Sequence, residues 1–290
     1  MKQEIRHRFI GVDESRSQLL YVDQTDAARN WTLQLPNRYR DYQLIGANRI
    51  LLSTGFGYRE YDLATRQLVK EVKGYHDIQF ARRRANGTTV MGGNENGVTL
   101  YELGPDDKVR RKVSGKFANV RLGRLTPQGT VLLGPGDGKL VEMGWDGQVV
   151  KEWPSADKDT HIYQALRTKD GHLLVATGGA ASLLEMDPNG TVIKRFGGRG
   201  TPDAKALGYL FFTGFQVLKN GNIVVSNWTG HGANDSANGT QLIEFDASGK
   251  IVWKWHDAAM AGSLHGVLIL DDLDPAVLND DISSVLGPVK

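Results

Sequence analysis

Three histidines stand at one recurring place in the chain. His161 lies ten residues before Gly171, His76 eleven before Gly87, and His265 opens a late apolar run in the comparable position. Imidazoles placed this way could do three things. Grouped and neutral, they would hold a divalent metal with open coordination positions, a Lewis-acid site. Alternatively, one would act as general base or nucleophile while the others and an arginine grip an anionic substrate. In the third reading each is a wedge residue satisfied by backbone carbonyls between packed elements. What positions them decides among the three.

The positioning elements are written in a period. Glu60-Tyr61-Asp62, Glu102-Leu103-Gly104, Glu142-Met143-Gly144, Glu185-Met186-Asp187 and Glu244-Phe245-Asp246 each sit between an apolar strand-like run and a turn, and Tyr21-Val22-Asp23 fills the first slot. By subtraction the spacings are 39, 42, 40, 43 and 59 residues. A period near forty made of short branched and aromatic runs between Gly, Asn and Asp turns is the mark of a propeller blade, whose two faces need neighbours to bury them. Residues 161–166, 173–177, 182–186 and 192–196 give the clearest four-strand unit; 42–72, 76–113, 117–153 and 211–255 repeat it. Residues 9–13, 19–23 and 31–35 supply only three strands of a sixth, and residues 264–270 have the character of its innermost one. The sequence therefore predicts an all-β, six-bladed propeller spanning 1–290 as one domain, closed by the C-terminal strand joining the N-terminal blade, which removes an open edge. A tail from 275 to 290 is expected to form a short helix or to lie on the rim.

Blades about 60° apart would set His76, His161 and His265 about 120° from one another around the axis. Lead-ins to first strands and loops between second and third strands emerge on the same face of a four-stranded meander. That face should also carry the two long excursions, residues 197–209 and 228–238, and long loops on a regular scaffold tend to be functional. Candidate ligand contacts there are Arg38, Arg40, Tyr42, Asn119, Arg121, Tyr163, Phe211, Thr213, Asn227, Trp228 and His231, with Asn94, Glu95, Asn234 and Asp235 nearby. A Trp among Asn, Arg and His is the mixture that stacks a sugar ring and bonds its hydroxyls. The repeated glutamate reads as a scaffold device reaching a neighbouring blade or turn, and Trp153, Phe196 and Trp255 as packing between blades.

Composition narrows the classes. A net charge of +2 over 290 residues gives no case for nucleic acid. Arg82-Arg83-Arg84, the densest basic run, reads as a solvated turn or, less simply, a phosphate or sulfate contact. With no cysteine there are no disulfides, thiol nucleophiles or thiolate metal sites. No run approaches the ~20 apolar residues of a membrane span. The charged residues 1–8 do not form a signal peptide, and export would require a leader already removed. The compartment stays open, and a monomer is expected.

The phrase Leu242-Ile243-Glu244-Phe245-Asp246-Ala247-Ser248-Gly249-Lys250-Ile251-Val252-Trp253-Lys254-Trp255, followed by His265, resembles the repeats of arylsulfotransferase-like and quinoprotein-like (PQQ-like) propellers. In arylsulfotransferase-type enzymes axial histidines and an arginine bind and transfer a sulfuryl group, so the resemblance implicates His76, His161 and His265. The chain is shorter than those enzymes, and its turn from Asp246 to Gly249 is one residue shorter than the quinoprotein docking pattern, so no quinone is expected. No cofactor is called for, although the histidine ring admits a divalent metal. Propeller polysaccharide lyases, with axial His and Arg, fit the same residues. The leading expectation is a small-molecule site at one mouth of the channel, for a saccharide or anionic ligand. The alternatives are a histidine-dependent group transferase or lyase, and a non-catalytic scaffold for a protein partner.

Overall fold

The computed structural model describes residues 4–281 and the backbone of 288–289. Six four-stranded antiparallel sheets form a ring, a six-bladed β-propeller. The burial of each strand shows where it lies: the first strands Ile78–Arg83 and Phe211–Val217 are buried except at their ends, whereas the fourth strands Leu68–Lys73 and Val109–Ser114 are largely exposed. First strands thus line the axis and fourth strands the perimeter. Continuous apolar runs serve the strands covered on both faces, and alternating ones the half-exposed fourth strands such as Val192–Gly197.

Blade one is built from both ends of the chain. Leu264–Ile269 pairs antiparallel with Arg8–Asp13, from Phe9 opposite Ile269 to Asp13 opposite Leu264. Phe9, Leu20, Val267 and Ile269 then pack with Leu242 and Trp255 of blade six, so closure joins two cores. A charged clasp lies at the same seam: His7 bonds Glu244 at 2.8 Å and Asp271 at 2.6 Å.

The repeated glutamates are the scaffold device the sequence predicts. Arg83 of blade three donates to Glu60 of blade two at 2.7 Å, and Arg167 of blade five to Glu142 of blade four at 2.7 Å. Glu102 takes Arg84 and Arg111 within its own blade, and Glu185 takes His172. Trp153, Phe196 and Trp255 are buried, and Trp255 packs edge-on against Phe9 of blade one with ring centres 5.1 Å apart.

One expectation is corrected. Arg82-Arg83-Arg84 is no solvated turn: it ends the inner strand Ile78–Arg83, Arg82 is 6% exposed, and all three guanidiniums are ion-paired. The excursion at 197–209 holds a short helix, Pro202–Leu207, with proline in its first turn and Gly208 ending it at φ +62°. As for the tail, Ala47 and Asn48 N–H groups donate to the carbonyls of Ala276 and Pro275, and Leu278 bridges to Ile45. The segment therefore crosses under blade two, on the face opposite the strand starts. Residues 282–287 and 290 of it lie outside the described residues.

Candidate functional site

Near the axis on the strand-start face, Arg40, Arg121, His161, Tyr163, Phe211, Thr213, Trp228, His231 and His265 enclose a pocket of about 180 Å³. Blade contacts bring them there. Residues 161–163 extend the ladder of blade five, since His161 and Tyr163 N–H groups donate to Thr177 and Ala176 carbonyls at 2.9 Å. Two apart in extended chain, their side chains share a face. Leu122 N–H donates across to the Tyr163 carbonyl at 2.9 Å, which ties blade four to blade five and sets Arg121 beside Tyr163. Phe211 pairs with Trp228 across the first two strands of blade six, and their rings meet edge to face at 5.8 Å. Trp228 also stacks on His265, 6.3 Å away and 25° from parallel.

The pocket is short of partners. Among the described residues Arg40 makes no hydrogen bond or ion pair, and Arg121 bonds only its neighbour's Val120 carbonyl at 3.3 Å. The Tyr163 hydroxyl and His161 Nε2 are buried without a partner. Burial, and next the positive charge of Arg40, lower the Arg121 pKa, while Tyr163 and Asp77 act against them. Tyr163 is pushed well above the ordinary phenol range by burial, so its hydroxyl stays protonated and can donate. Burial and the two arginines lower His161. His265 is lowered to about 3, chiefly by burial and against the pull of Glu14. The two imidazoles are thus neutral near pH 7. Two crowded cations form a basin of positive potential, and beside them stand a phenol free to donate and an imidazole nitrogen without a partner.

Glu14, which the sequence did not single out, stands at the edge of this basin. It is 1% exposed and accepts from Arg38 at 2.9 Å, the Trp228 indole at 3.2 Å and His231 Nδ1 at 3.1 Å. Burial raises its pKa, but the indole, His231 and Arg38 together outweigh that and hold the carboxyl below its usual range. Nothing in Asp13-Glu14-Ser15-Arg16 distinguishes it from an ordinary hairpin turn, because its partners lie more than 200 residues away in the chain apart from Arg38.

Several predicted residues are not brought into the pocket. His76 is exposed on the rim and absent from the lining. Blade three carries a bulge between Ile78 and Phe80, and Asp77 turns the chain at φ +46°, so the extra residue before Gly87 leaves His76 outside. No ring of three axial histidines forms, and no group of three His, Asp or Glu side chains is arranged to hold a metal among the described residues. Asn119 is exposed in a left-handed turn at φ +61°. Asn227 is fully committed: it accepts from Leu210 and Phe211 N–H groups and donates to Gly208 and Thr240 carbonyls, fastening the helix loop to blade six. Tyr42 is buried, its hydroxyl accepts from Val267 N–H at 3.0 Å, and its pKa is pushed up to about 12 by burial. A Cβ on Gly266 would come within 1.9 Å of that oxygen, so glycine makes room for the phenol. Asn94 and Glu95 bond Val120 and Tyr101, Asn234 precedes the 3-10 turn at 235–238 without a side-chain capping bond, and Asp235 takes the N–H of Gly232.

Below the pocket the channel is filled by a charged cluster. Arg124 grips Asp41 with two bonds of 2.9 and 3.1 Å, and Arg82 lies 3.6 Å from Asp41 while pairing with Asp281 from the tail. The site is a cup, closed underneath. A larger hollow of about 820 Å³ lies near residues 4–6 and 250–254, but no unpaired buried polar atom of the described residues faces it.

No known protein family matches the sequence, and no curated protein does either. Solved structures place the chain among the β-propellers. A protein of unknown function from Bacteroides caccae is 17% identical with a TM-score of 0.75, covering 91% of this chain and 98% of its own. A streptogramin B lyase is 12% identical at TM-score 0.61, over 90% of this chain and 83% of its own. The WD40 propeller domain of Doa1 is likewise 12% identical, at 0.62, over 90% and 81%. At such identities the likeness concerns the fold. Among the described residues no helix is long and apolar enough to cross a membrane.

Proposed function

We propose that the protein binds a small molecule by an anionic group, in the axial cup, with a flat or ring-shaped portion against Trp228 and Phe211. One observation carries this reading: Arg40 and Arg121 converge without a carboxylate partner beside the unpartnered hydroxyl of Tyr163. Keeping two like charges together in a partly dry pocket is unfavourable unless an anion joins them. The cup is smaller than the ~300 Å³ of the smallest drug-sized sites, so it suits the charged head of a ligand whose remainder rises to the rim. Sugar acids and sugar sulfates fit, since Trp228 offers a ring face and Tyr163 and His161 offer polar atoms. An anion here also agrees with the resemblance of the repeats to arylsulfotransferase-like propellers.

Calorimetry with glucuronate, phenyl sulfate, phenyl phosphate and benzoate, against neutral methyl glucoside and phenol, tests the reading. Anions should bind and the neutral compounds should not. Arg121→Ala and Arg40→Ala should each weaken anion binding by about 1 to 3 kcal/mol, the range for a hydrogen bond to a charged group. Equal binding of neutral and anionic compounds, or affinity untouched by both substitutions, would overturn it.

A further inference from the structure

Glu14 and His231 are more elaborate than an anion cup requires. A buried carboxylate is costly, and its three donors come from Arg38, Trp228 and His231, all at the mouth. Its bond to His231 Nδ1 fixes the tautomer: the proton sits on Nδ1 and the lone pair on Nε2, on the far side of the ring. Trp228 holds that ring edge-on at 4.6 Å. Among the described residues Nε2 has no protein partner, and the His231 side chain is 63% exposed, so water reaches it. The other two imidazoles of the pocket, His161 and His265, have no such carboxylate bond.

We infer that Glu14 and His231 form a general-base pair that activates water against an ester of an anionic substrate held in the cup. The inference rests on the anion reading above. Water is taken as the nucleophile because the chain has no cysteine, the lining has no serine, the Thr213 hydroxyl is committed to the Ser226 carbonyl at 3.1 Å, and burial keeps the Tyr163 phenol protonated. In the reaction His231 Nε2 takes a proton from water as its oxygen bonds to the ester carbonyl carbon. The charge gathering on the carbonyl oxygen lies in the field of Arg40 and Arg121. The C–O bond to the alcohol then breaks, and the proton on Nε2 passes to the departing oxygen, leaving a carboxylic acid and an alcohol. Glu14 touches no reacting atom; it is a positioning residue that orients the imidazole and steadies its protonated form.

The probe is 4-nitrophenyl hemisuccinate, a chromogenic ester with its own carboxylate, compared with neutral 4-nitrophenyl acetate. The protein should accelerate hydrolysis of the first and leave the second near background. His231→Ala should lower kcat roughly 10²- to 10⁴-fold, the usual span for a general base, while the fold is kept and the affinity for monomethyl succinate falls far less than kcat. Added imidazole should restore part of that loss. Glu14→Gln should lower kcat at nearly constant KM; if it fails to fold, the exposed His231 substitution still decides. Monomethyl succinate that binds without any hydrolysis of the hemisuccinate would overturn the base pair and leave the anion cup standing, as would hydrolysis undiminished in His231→Ala. Failure of every anion to bind would overturn both.

Discussion

Four arginines approach the axis of this propeller, and they divide into two pairs with opposite habits. Arg82 and Arg124 lie deep, 6% and 3% exposed, and share Asp41 and Asp281. Arg40 and Arg121 stand at the mouth without an ion-pair partner among the described residues. The deep pair closes the floor and holds blades two, three and four to the tail. Apart from the Arg121 bond to the Val120 carbonyl, the upper pair bonds no group of the described residues. Position along one channel thus separates charges paired within the fold from charges the fold leaves unpaired, the pair to which the proposal assigns the ligand.

The largest test of that contrast is Asp41→Ala. It strands Arg124 in a buried place, and breaking one side of such a pair costs about 3 to 5 kcal/mol, readable as a lower urea midpoint. A loss no greater than that of Arg121→Ala would erase the distinction between the pairs.

A second test extends the deep, structural half to the seam between blades one and six. Burial alone would lower the His7 pKa, but Asp271 and Glu244 outweigh it and raise it to about 9, against an ordinary value of 6.5. Because the folded pKa is the higher one, this stabilisation is full below pH 6.5 and disappears as pH rises through about 9. The shift corresponds to about 3 kcal/mol, and His7→Ala should flatten melting temperature against pH in that window.

At the mouth the sign reverses. Arg121→Ala should leave the melting temperature unchanged or raise it, because it removes a desolvated cation crowded by Arg40. Differential scanning fluorimetry without ligand would show it, and a clear loss of stability would place Arg121 with the deep pair. The smallest effect marks the edge of the site. Asn119→Ala should leave anion affinity unchanged and cost about 1 kcal/mol for its left-handed backbone, which Asn119→Gly should not.

The sequence made the ring readable because the ring is repetitive. Glu60, Glu142 and Glu244 recur at one strand position, and each does the same job of bonding a residue of the next blade. The mouth is readable where it inherits that repeat, since Arg121, Tyr163, Phe211 and Thr213 follow from inner-strand register, and where a long loop stands out from it, as with Trp228 and His231. His76 stands one residue farther from its turn glycine than His161 does, and the bulge in blade three that takes up the extra residue leaves it outside the pocket. Tyr42 and Asn227 have the right address but spend their polar atoms on the backbone. Glu14 was invisible for the opposite reason. It sits in an unremarkable turn, and its importance comes from Trp228 and His231, whose approach depends on closure and on a loop with no counterpart in other blades.

That closure also sets an order in time. Arg8–Asp13 leaves the ribosome early, and its partner Leu264–Ile269 about 250 residues later, a delay of roughly ten to fifty seconds at ordinary synthesis rates. Through that interval the apolar run of blade one carries a bare strand edge. A chain released before its last blade strand is made keeps that edge for good, exposed to any other unfinished copy. Closure of the ring and concealment of that open edge are therefore the same event.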